Sequence, residues 1–93
     1  MNEQEYLNSI GINLTGYPSD DNSFVVDLDN SEQFGIIYSI LEDSDDLDIM
    51  YDNQVITEQG SSLIYESLSQ PFLLNLIADF EGDKYSLIIN EIK

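Results

Sequence analysis

The chain has no cysteine and no histidine, and no lysine or arginine occurs before Lys84. Each absence closes a class of function. Without Cys there is no disulfide framework and no thiolate zinc site, so compartment leaves no redox signature in the sequence. The usual nucleophile–base pairs need His or Cys, and neither a Gly-rich phosphate loop nor a nucleophile elbow is present. Paired carboxylates can carry glycosidase-type acid–base chemistry, but that needs a cleft, and 93 residues leave little room for one. The expectation is a protein that is not an enzyme and takes no cofactor. Two lysines make no basic patch, which excludes direct binding to nucleic acid. No apolar run reaches the ~18 residues of a membrane span, and Met1-Asn2-Glu3-Gln4-Glu5 lacks a signal peptide's basic start. Anionic lipid would repel so acidic a surface. No membrane association is expected, and a cytoplasmic location is the default.

What the chain has instead is acid. Nineteen Asp and Glu against two Lys give a net charge of −17, far outside the magnitude of about 2–8 usual for a small domain. A compact domain of this length is roughly 30 Å across, and that length of duplex DNA carries about 18 phosphate charges. The chain therefore matches the charge of the DNA segment it could displace, and its expected partner is basic. A hydrophobic fraction of 42%, with six Tyr and four Phe, argues for a folded domain despite the charge. A single domain spanning residues 1–93 follows.

The acids are densest between Glu42 and Asp52, where Glu42, Asp43, Asp45, Asp46, Asp48 and Asp52 fall within eleven residues. Leu47, Ile49 and Tyr51 alternate with Asp46, Asp48, Met50 and Asp52, a period-2 pattern that runs the cluster into a strand. A strand holds carboxylates at fixed spacing. The candidate partner-binding residues are these six acids with Tyr51, whose ring suits an interface. Asp20, Asp21, Asp27 and Asp29 extend the row if the first strand neighbours the second. The plainer reading is a solvated face serving solubility. An oxygen-rich run such as 43–48 also raises calcium, but an EF-hand loop starting at Asp43 places Leu47 at position 5, Asp48 at 6 and Gln54 at 12. No metal site is expected.

Periodicity and turn chemistry place the elements. Residues 3–10 read as a helix stopped by Gly11, with Ile12 and Leu14 continuing as a strap or brief strand. Residues 15–22 read as a loop and 23–29 as a strand. Asn30 with Gln33 three positions on resembles a capping box, opening a helix over 31–42 with Phe34, Ile37, Tyr38 and Leu41 as its apolar stripe. Glu42 to Asp46 then follow at its negative end, where a sequence selected for stability alone would not put carboxylates. Residues 48–57 read as one strand or as two bent at Asp52-Asn53. Residues 62–68 read as a further strand, with a helix over 61–69 as the competing reading. Residues 72–80 and 84–92 form a hairpin around Glu81-Gly82-Asp83. Leu73 and Ile77 make 72–80 apolar on both faces, which places it centrally. The expected fold is α+β, a twisted antiparallel sheet of about five strands carrying two short helices, in the order α-β-α-β-β-β-β.

In size, charge, lack of Cys and element order the chain resembles small acidic phage proteins that inhibit DNA-binding enzymes. Among them it is similar in outline to the phage uracil-DNA glycosylase inhibitors, whose last two strands begin at a Pro-aromatic pair, as at Pro71-Phe72. Their first strand carries a Glu-Ser-Ile segment that enters the enzyme's DNA groove. Asp27-Leu28-Asp29-Asn30-Ser31 stands at that place here without the motif, and Glu66-Ser67-Leu68 lies in another element. Anti-CRISPR and anti-restriction proteins fit the same outline. The resemblance implies a DNA mimic acting on a basic DNA-binding protein, in the host cytoplasm if phage-encoded. The alternatives are an immunity protein for a nuclease toxin and a non-catalytic acidic adaptor.

Overall fold

The structure is a computed structural model and describes residues 1–19 and 22–92. It is an α+β fold in which seven antiparallel strands form one sheet and two helices pack on one of its faces. Helix α1 spans Glu3–Ser9. At its start the Asn2 side chain accepts from the Glu5 N–H at 2.8 Å while Glu5 Oε1 accepts from the Asn2 N–H at 3.0 Å, a reciprocal cap. At its end Gly11 takes φ +100°, and the Gly11 and Ile12 N–H groups bond back to the Asn8 and Leu7 carbonyls. That left-handed stop lets Ile12 fold under Leu7, and both are fully buried. Residues 12–16 are a strap, with no strand of their own.

Strands β1 (Tyr17–Pro18) and β2 (Ser23–Leu28) come next, so part of the segment expected as loop pairs onto the sheet edge. Helix α2 (Ser31–Asp43) is capped by Asn30, which accepts from the Gln33 N–H at 2.8 Å; Gln33 in turn accepts from the Asp29 N–H, one residue further out than a capping box requires. Strand β3 (Leu47–Ile49), a 3₁₀ turn (Tyr51–Asn53) and strand β4 (Val55–Ile56) form a broken edge along β5 (Gly60–Ser67). This is the two-piece alternative, bent where Asp52-Asn53 indicated. Strand, not helix, holds over 61–67. Gly60 starts β5 because a side chain there would fall on the Ala78 carbonyl oxygen. The hairpin of β6 (Phe72–Asp79) and β7 (Lys84–Glu91) completes the chain, its loop held by Gly82 N–H donating to Asp79 and by Asp83 in the left-handed region.

The sheet order is β1-β2-β7-β6-β5-β3, with β4 also on β5, so β6 is central as its two apolar faces required. The excess over five strands comes from the two-residue strands β1 and β4. Alternation then builds the core. Val26, Tyr65, Leu74, Leu76, Leu87 and Ile89 point to the helix side and are almost wholly buried, with Tyr6 and Leu7 of α1 and Ile37 and Leu41 of α2 closing over them. The opposite face carries Ile64, Leu73, Ile77 and Ile88 at intermediate exposure with no helix on it.

Candidate functional site

The acidic stretch begins in the last turn of α2, which holds no basic residue to meet the helix dipole. Glu42 and Asp43 are exposed there, Asp45 is exposed in the turn that follows, and Asp48 and Asp52 are exposed on β3 and the 3₁₀ turn. Asp48 stands directly across the strand pair from Glu66, also exposed, which sets two like charges opposite each other on one face of the sheet. Exposed carboxylates therefore follow one another from the last turn of α2 through β3 to the 3₁₀ turn, with Glu66 of β5 beside Asp48. Tyr51, 80% exposed, stands out from it.

Asp46 departs from its neighbours. Its Oδ2 accepts from the hydroxyls of Tyr6 at 2.7 Å, Ser69 at 2.8 Å and Ser67 at 2.9 Å, and its carbonyl accepts from the Leu68 N–H. Burial pushes its carboxyl up, but its hydrogen bonds, those from the hydroxyls foremost, outweigh this and hold it below the usual carboxylate range. The Tyr6 hydroxyl is pushed up to about 12, chiefly by burial, with the Asp46 carboxylate adding to it. Asp46 thus ties α1, the entry to β3 and the β5–β6 turn together from within, where the sequence grouped it with the surface acids. Ser67-x-Ser69 and a tyrosine on the first helix were the signals for it.

The conditional row from the first strand does not form. β2, with exposed Asp27, is separated from β3 by β7, β6 and β5, and Asp29 follows β2 at the same far edge. Asp27 accepts from the Tyr17 hydroxyl at 2.9 Å, and that bond raises the Tyr17 pKa. Asp20 and Asp21 lie outside the described residues. Among the described residues no group of acids is placed to hold a metal ion, and no helix is long and apolar enough to cross a membrane.

Beside the acidic edge lies a feature that the sequence reading missed. A groove of about 580 Å³ runs between α2 and the β3–β4 segment, with Ile49 and Leu63 among its lining. Phe34, Tyr38 and Glu42, spaced i, i+4 and i+8, line it from α2, and Tyr51 and Ile56 line it from the edge segment. The Tyr38 hydroxyl donates to Glu42 Oε1 at 3.3 Å, and the charge of Glu42 is the main reason the Tyr38 pKa is raised. Tyr65 is buried and its hydroxyl makes no hydrogen bond; burial first, and the charge of Glu42 second, raise its pKa. The aromatic-aromatic-acid spacing on α2 was the available signal.

No protein-family model, curated protein or solved structure matches the chain.

Proposed function

We propose that this protein is a non-catalytic, acidic inhibitor that acts in the cytoplasm by occupying the nucleic-acid-binding groove of a basic DNA-binding enzyme. The observation that carries the reading is the run of exposed carboxylates on regular elements: Glu42 and Asp43 at a helix C-terminus with no basic residue in its last turn, and Asp48 facing Glu66. Both placements raise the free energy of the folded state, and a cationic surface that engages them relieves that cost. Size supports the same reading. The longest axis is 35 Å, and that length of duplex carries about 20 phosphates, close to the −17 of the chain. Arg and Lys of a DNA groove would meet Asp43, Asp45, Asp48 and Asp52 through charge-assisted bonds, while the opposed fields speed encounter. Asp46, engaged internally, is outside this contact set. Host-defence nucleases, CRISPR effectors and uracil-DNA glycosylases are the target classes that the resemblance suggests.

The test is capture from a host lysate by the wild-type protein beside a variant with Asn at Asp43, Asp45, Asp48 and Asp52. The reading expects one DNA-binding enzyme on the wild type alone, released by competing duplex DNA and by salt. Equal capture by both forms moves the interface off the acids and favours the immunity-protein or adaptor reading.

A further inference from the structure

The groove beside the acidic strip carries a chemistry of its own. Phe34, Tyr38, Tyr51 and Phe80 give it four aromatic rings, and the single carboxylate among its lining residues is Glu42. Three of those rings are substantially exposed: Tyr38 at 39%, Phe80 at 49% and Tyr51 at 80%. Ile56, at 76%, adds an exposed aliphatic wall. Gln54, also lining the groove, donates through Nε2 to the Met50 and Ile64 carbonyls, and its Oε1 is left buried without any donor. The rim of the groove thus holds a carboxylate and its faces π-systems, both of which favour a cation. Asp52 and Glu58, near Tyr51 and Ile56 in sequence, are exposed as well.

We propose that this groove receives an arginine side chain, together with an adjacent apolar residue, from a segment of the basic partner. A guanidinium stacks on aromatic faces and is more weakly hydrated than an ammonium, so it suits a partly apolar groove that lysine does not. Its aliphatic stem matches Ile56 and Ile49, and the volume of the groove accommodates a neighbouring side chain beside it. Glu42, already facing Tyr38, supplies the counter-charge. The inference rests on the partner being basic, as proposed above, and not on its being a DNA-binding enzyme.

The experiment is an NMR titration of the full chain in about 150 mM NaCl, where distant charges are screened. The probes are three capped tripeptides: Leu-Arg-Leu, its isostere with neutral citrulline, and Leu-Lys-Leu. Saturable shifts confined to Phe34, Tyr38, Glu42, Tyr51 and Phe80 are expected with the arginine peptide. Citrulline or lysine should weaken binding by about fivefold or more, as should Tyr51→Ala, whose exposed ring leaves the fold intact. Asp48→Asn, an exposed acid that does not line the groove, should change affinity by less than about twofold. Shifts spread over all the acids, or an unchanged affinity in Tyr51→Ala, would overturn the groove as the site. Equal binding of the citrulline peptide would make it a purely apolar receptor, and equal binding of the lysine peptide would remove the guanidinium from the assignment. Capture of the cellular partner is read separately. Peptide binding without capture sinks the inhibitor reading alone; capture without peptide binding sinks the groove assignment alone.

Discussion

Helix α2 has two flanks, and they are finished differently. On one side Ile37 and Ile40 meet the strap that carries Ile12 and Leu14, leaving a shallow hollow of about 230 Å³. On the other side Phe34, Tyr38 and Glu42 face the β3–β4 segment across a groove of about 580 Å³. The difference follows from how each neighbour is anchored. Ile12 is held by a backbone bond to Leu7 that belongs to the end of α1, and it is 1% exposed. The β3–β4 segment is paired to β5 over three residues at its start and two at its end, and between them Gln54 bonds the Met50 and Ile64 carbonyls. A flank locked by helix-capping bonds serves stability. A flank whose neighbour pairs outward with β5 leaves its aromatic lining exposed.

Substitutions should separate the two flanks. The largest effect is expected for Ile12→Ala, which leaves a cavity in the closed flank and should lower stability by about 3 kcal/mol in urea unfolding. Binding at the open flank should be unchanged; a parallel loss of both would mean that the flanks are coupled. Asp46→Ala comes next. It leaves three hydroxyls without their acceptor and should lower stability by about 2 kcal/mol, while Asp45→Ala, on the exposed turn, should cost less than about 0.5 kcal/mol.

The same carboxylate gives a pH signature. Its folded pKa is lowered, so its contribution is present above the unfolded value of about 4 and is lost as pH falls through the folded one. Stability measured below about pH 4 should therefore fall less steeply in Asp46→Asn than in the wild type. Tyr6 works in the opposite direction. Its hydroxyl is raised to about 12, so its contribution is complete below the unfolded value of about 10 and disappears as pH rises through the folded one.

Salt should act on the acidic edge more gently. Raising NaCl from about 0.01 to about 0.5 M screens Asp48 from Glu66 and their neighbours, and should lift Tm by about 5 °C. A flat Tm would mean that the carboxylates do not strain the fold. The smallest stability effect is expected for Tyr51→Ala, within about 0.5 kcal/mol, although its effect on the open groove should be clear.

Much of the fold was legible because it rests on local chemistry. Gly11 stops α1 and Asn30 opens α2 through bonds made within a few residues, and the two apolar faces of 72–79 marked a central strand. The strands β1 and β4 were not legible as such, since two residues carry no period and owe their geometry to β2 and β5 beside them. The site was partly legible. Glu42, Asp43, Asp45, Asp48 and Asp52 are all exposed. Asp46 was not separable from them by pattern, because its three partners come from residues 6, 67 and 69.

The sequence by itself determined the charge of the chain, because charge depends only on composition. It also determined the helix caps and the strand alternation, because these are set by neighbours along the chain. Tertiary structure alone decided which acids share an edge. Strand order put β2 and β3 at opposite sides of the sheet, keeping Asp27 away from Asp48. It also decided that Asp46 bonds to the hydroxyl of Tyr6 and that four aromatic rings line one groove with Glu42. Such contacts join residues tens of positions apart, and only the packing of helices on a sheet brings them within reach.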